Sequence, residues 1–188
     1  PELVQEHHDA ALAYRTRNYA VEFGIIGLAL GLAIGACSRG PRWLLCIFSG
    51  GCIGTVCGLG LGFASGMYIT QNLLVNAQQT LQTSMGLQTV VWGVLLANIV
   101  GVVACLQVGM IEAIKYWFVG LLAGFVVAAT QFATSSLMFP SSNPMFLVPE
   151  QASERAYWLA VFPVAAGLVM ALGLAKLRPQ PSQAVSVN

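Results

Sequence analysis

The sequence predicts an all-α, polytopic transmembrane helix bundle of about five spans with glycine-zipper packing. Three observations carry that reading. Of the 188 residues, 57% are hydrophobic and 8% charged, and the mean hydropathy is +0.75. Soluble domains average about 25% charged residues, so this composition cannot furnish an aqueous surface around a core. Apolar stretches close to the ~20 residues that cross a bilayer as a helix recur along the chain. Small residues stand at four-residue intervals within them, most strictly at Gly50, Gly54, Gly58, Gly62 and Gly66. Interior glycines cost a soluble helix about 0.5–1 kcal/mol each relative to alanine. In lipid they let two backbones approach and gain van der Waals contact.

Residues 1–19 are polar, with Glu2, Glu6, His7, His8, Asp9, Arg15 and Arg17. Leu3, Ala10, Tyr14 and Val21 recur at helical spacing, which predicts an amphipathic helix at the membrane surface or against another protein. The transmembrane domain covers 20–176. Its first span, 20–37, carries Gly27, Gly31 and Gly35; Gly40-Pro41 then stops the helix in a tight turn. The second, 43–66, holds the glycine ridge.

Residues 67–88 carry seven Gln and Asn side chains and no charge. They read as helical extensions of the two spans or as an interfacial helix whose amides hydrogen-bond a partner without the desolvation cost of ions. A solvated connection is the alternative. The third span, 89–108, has Gly93, Ala97, Gly101 and Cys105 in step. A short connection with Glu112 and Lys115 precedes the fourth, 116–137, with Gly120 and Gly124. Pro140, Pro144 and Pro149 make 138–154 an irregular, apolar loop. The fifth span is 156–176, and 177–188 is expected to be a disordered tail.

Four residues advance a helix by about 400°, so the ridge drifts about 40° per step and winds about 160° from Gly50 to Gly66. No straight neighbour covers all of it. Two are expected, the first span near Gly50–Gly58 and another helix or chain near Gly58–Gly66.

The spans contain few polar groups that could do chemistry: Asn98, Gln107 and Gln131 are the main ones. Glu22 reads as lying at the mouth of the first span and Glu112 in a connection, which argues against a proton-coupled transporter or rotor subunit. His7 and His8 point about 100° apart on a helix and do not converge on a metal. Cys37, Cys46, Cys52, Cys57 and Cys105 are odd in number and form no CxxC pair, so they read as packing residues. No P-loop, HExxH, GxSxG or dinucleotide fingerprint occurs, and no cofactor is evident. Catalysis is not expected. The net charge of +1 offers no field for nucleic acid.

Arg39, Arg42, Lys115, Lys176 and Arg178 fall on one side of the membrane and Arg15, Arg17 and Arg155 on the other, which places the carboxyl terminus in the cytoplasm. The compact loops suggest a bacterial inner membrane. Every span has a small-residue face, which points to a non-catalytic integral membrane subunit that packs within or scaffolds a larger complex. Its partners would be the lipid bilayer and other membrane chains or copies of itself. The alternative is a homo-oligomeric channel or small-solute carrier with a weakly polar path lined by Asn98, Gln107 and Gln131.

Overall fold

The computed structural model describes residues 2–38, 41–69, 71, 80–139, 151–161, 164, 165 and 167. Every regular element among them is helical. In chain order these are α1 (Glu2–Ala36), α2 (Trp43–Tyr68), α3 (Thr80–Val108), α4 (Met110–Met138) and α5 (Ala152–Ala156), which runs on as a π-helical turn over Tyr157–Val161. Four segments are long and apolar enough to cross a membrane: Ala13–Ala36, Trp43–Tyr68, Thr83–Val108 and Met110–Met138. The chain is an all-helical integral membrane protein. Most of the fifth predicted span lies outside the described residues, as do residues 72–79, most of the proline loop and the 177–188 tail.

Three boundaries differ from the sequence reading, each for a local reason. The polar amino-terminal stretch is no separate surface helix but the start of α1, because nothing between Glu2 and Asn18 is a glycine or proline that would end it. α3 begins at Thr80, well before the predicted 89, and so takes in the last part of the uncharged Gln-rich stretch. The connection predicted around Glu112 and Lys115 shrinks to Gly109, whose φ of +91° is the backbone region that glycine enters without strain. Gly109 N–H donates to the Cys105 carbonyl, and Ala113 N–H donates to the Gly109 carbonyl, so hydrogen bonding hardly breaks at the corner. Glu112 and Lys115 become an exposed ion pair at 2.8 Å in the first turns of α4.

α1 and α2 form an antiparallel pair in direct backbone contact. A Cβ on Gly27 would overlap the Gly54 carbonyl, and one on Gly31 would overlap that of Gly50. One on Gly58 would overlap the Phe23 carbonyl, one on Gly62 that of Tyr19, and one on Gly66 would sit 3.0 Å from Thr16 Cα. Gly35 rests on Ile47 in the same way. Thus α1 alone follows all five glycines, and the second neighbour expected over Gly58–Gly66 is not needed. The contact points on α1 are Gly31, Gly27, Phe23–Gly24, Tyr19–Ala20 and Thr16, so both contact lines drift together. Two helices that wrap about each other can follow a line that a straight neighbour would leave.

α3 meets the ridge from the side, with Val103 and Ile99 each 3.3 Å from where a Cβ on Gly50 or Gly54 would lie. α4 packs antiparallel on α3. Gly124 lies on Gly93, Gly120 sits 2.8 Å from Ala97 Cα measured from its ideal Cβ, and Gly101 lies under the Trp117 ring. The core centres on α3: Trp92, Leu95, Leu96, Ile99 and Val100 are buried with Ile26, Leu30 and Ile34 of α1. The fifth helical segment runs parallel to α1, with Arg155 at Glu22 and Gly167 at Leu30 and Ala33.

Candidate functional site

The three intramembrane polar residues singled out from sequence do not come together. Asn98 Nδ2 donates to the Val94 carbonyl of its own helix at 2.8 Å and borders an open, mostly apolar groove of about 260 Å³ between α3 and α4. Gln107 Nε2 points to Cys46 Sγ of α2 at 3.8 Å. Gln131 Oε1 accepts a hydrogen bond from the buried indole Nε1 of Trp92. Each of the three has a separate neighbour within this chain.

A different polar group assembles instead. Thr16, Glu22, Ser65, Ser84, Gln88, Gln131 and Glu154 are all buried. They cluster toward the end of the bundle where α1, α3 and α5 begin and α2 and α4 finish. Among the described residues, Ser38 is the one buried polar side chain at the other end.

Glu22 and Glu154 define the centre of this group. Glu22 is 9% exposed and Glu154 2%. Arg155 Nε lies 3.3 Å from Glu22 Oε1 and ties the last helical segment to the first. Glu22 Oε2 and Glu154 Oε2 are buried with no hydrogen-bond partner among the described residues. Below them stands an aromatic floor. Trp92 and Trp158 stack with centroids 6.4 Å apart at 29°, and Phe23 meets Trp92 at 6.1 Å. Glu154 precedes Trp158 by four residues and Gln88 precedes Trp92 by four. The two helices run the same way, so Gln88 and Glu154 lie at about the same level, one turn outward from the tryptophan pair. The π-helical turn begins directly after this point, at Tyr157; such turns occur frequently at functional sites.

Sequence reasoning missed this layer because it misjudged two depths. With the apolar segment starting at Ala13, Glu22 lies nine residues inside it, about 13 Å along the axis. Glu154 was assigned to the proline loop. A readable signal existed: Ser84, Gln88 and Trp92 share one helical face, as do Glu154 and Trp158, and nothing breaks the helix between Glu154 and Pro163.

Removing one partner of a buried ion pair costs about 3–5 kcal/mol because the other charge is left uncompensated. The Arg155 side chain is 41% exposed, and water screens part of that loss. Arg155→Ala is therefore expected to destabilise the protein by about 1–3 kcal/mol, and adding Glu22→Gln should restore most of it. Unfolding midpoints of the wild type, both single variants and the double variant in one detergent give the coupling. A double variant no more stable than Arg155→Ala would mean that the contact contributes nothing.

Among the described residues no three His, Cys, Asp or Glu side chains gather as a metal site, and all five cysteines are free thiols. Comparison with known proteins gives no match to a protein-family model, a curated protein or a solved structure.

Proposed function

We propose that the protein is a membrane carrier or channel for a small solute, with its binding site in the buried layer of Glu22, Gln88 and Glu154. One observation carries this: two carboxyl groups, each at least nine-tenths buried in an apolar bundle, keep an oxygen without a hydrogen-bond partner. Ionisable side chains within the membrane are costly, and those that persist mark ion, substrate or proton pathways. The solute path expected from sequence along Asn98, Gln107 and Gln131 gives way to this layer. Asn98, hydrogen-bonded to its own helix, becomes a control.

Flux into proteoliposomes is the test. Glu154→Gln and Glu22→Gln are expected to lower the flux of monovalent cations at least tenfold, with Asn98→Leu unchanged. Wild-type protein, folded by its unfolding profile, that passes no ion or small neutral solute would end the reading.

A second reading, a non-catalytic subunit of a larger membrane complex, is favoured by α4. Only 17% of its apolar window is buried within the chain, against 61% for α3. The excess of small-residue faces no longer supports it, since those of α1–α2 and α3–α4 are used within the chain. Cysteine placed at Leu122 or Val126 should crosslink to another chain in native membranes; a single uncrosslinked species would count against a partner on that face.

We infer glycine-zipper packing for the α1–α2 pair from the mutual four-residue contacts. The bacterial inner membrane with a cytoplasmic carboxyl terminus is supported by the lysine and arginine count alone. In that orientation the acidic layer lies toward the outside.

A further inference from the structure

We propose that the layer formed by Glu22, Gln88 and Glu154 binds one monovalent metal cation, with sodium as the probe. The inference rests on the reading of this layer as the solute site and goes beyond it by naming the solute.

Charge is the first argument. Among the described residues the layer holds two carboxyl groups and one guanidinium, that of Arg155 against Glu22. With both acids ionised, one negative charge remains uncompensated, and it sits where burial makes that costly. One positive charge closes the balance and two would overshoot it. Donor chemistry is the second. The groups are carboxylate and amide oxygens, hard ligands that suit alkali and alkaline-earth ions, with no thiolate or imidazole among them. Alkaline-earth sites gather six or more oxygens and usually several carboxylates, and a guanidinium beside them would oppose a divalent ion.

The third argument is independent of the acids as a cluster. Gln88 belongs to another helix, is 4% exposed, and stands one turn before Trp92, whose ring stacks on Trp158, one turn after Glu154. Both carboxyl groups keep a buried oxygen that no donor among the described residues satisfies. A cation held between these oxygens would satisfy them together. The aromatic floor of Phe23, Trp92 and Trp158 closes the inward side and would keep the ion at this level until the helices move.

Binding is tested apart from transport. The purified full chain in detergent is unfolded thermally at fixed pH in NaCl, KCl or choline chloride at constant ionic strength. The midpoint is expected to rise with log[Na⁺], by about 5 °C or more once sodium exceeds its dissociation constant about 100-fold. Choline should give no rise. Glu154→Gln and Gln88→Leu should each lose the sodium response; if Glu154→Gln does not fold, Gln88→Leu decides. Broadening of the ²³Na resonance by wild-type protein, absent with the variant, provides the second readout. Superimposed curves in all three salts would overturn the proposal. So would stabilisation that follows falling pH and ignores sodium, which would mean proton uptake only. Sodium binding without liposome flux would remove the carrier reading and leave this site; flux without sodium binding would do the reverse.

Discussion

Gly58→Leu is expected to lower the unfolding midpoint and the yield of folded protein, whereas Gly60→Leu, two residues along the same helix, should change neither. A Cβ at Gly58 would overlap the Phe23 carbonyl and stand 3.1 Å from Gly24 Cα; at Gly60 it would meet nothing within 4 Å. The obstruction at Gly58 is backbone, so no rotamer change relieves it and α1 must move away from α2. Overpacking costs about 1–3 kcal/mol in ordinary cores. Here the displacement also opens the neighbouring contacts at Gly54 and Gly62, so the loss should fall at the upper end of that range. Leucine itself is at home in hydrocarbon, which makes Gly60→Leu a fair control. The check is denaturation of both variants in one detergent. Equal midpoints would mean that the close approach of α1 and α2 does not hold the bundle together.

Trp92→Ala is expected to be the most damaging single truncation. Trp92 has no solvent exposure, stacks on Trp158, touches Phe23 and hydrogen-bonds Gln131. Large aromatic-to-alanine changes cost about 3–5 kcal/mol in soluble cores. In a membrane protein the transfer share is smaller, because lipid is as apolar as the core, and the packing and cavity share remains. About 3 kcal/mol is a reasonable expectation, with Gln131 left without its donor. Trp92→Phe should fall in between, filling part of the space while still orphaning the amide. Trp43→Ala, at an exposed position, should stay close to wild type. Comparable losses at Trp43 and Trp92 would contradict the placement of the core on α3.

The spans were legible where their signal is local. The Gly-Pro turn gave the start of α2 at Trp43, and the four-residue glycine pattern pointed to the α1–α2 contact. Depth and partnership were not legible. A span that is apolar all round has almost no amphipathic asymmetry, so its sequence does not say which side faces inward. Small residues mark the inward side of α2; on α3 the hint that Ser84 and Gln88 turn into the bundle is the weaker one of the face they share with Trp92. Glu22 and Glu154 meet their surroundings through pairing of the first and last helical segments, a relation that no window of either segment contains. Gly109 was invisible for the opposite reason: an apolar residue among apolar residues gives no hint that it alone carries a chain reversal.

That reversal constrains how the protein is made. With one residue between α3 and α4, there is no hydrophilic tether that could wait on one side of the membrane while a single helix crosses. The one-residue reversal at Gly109 holds the two side by side as a hairpin, in contact through Gly93 and Gly124, so they are expected to enter the bilayer together. α4 then inherits its orientation from α3 during synthesis, whatever the charges that follow it, and a ribosome halted inside α4 would leave behind a half-inserted chain rather than a stable three-helix protein.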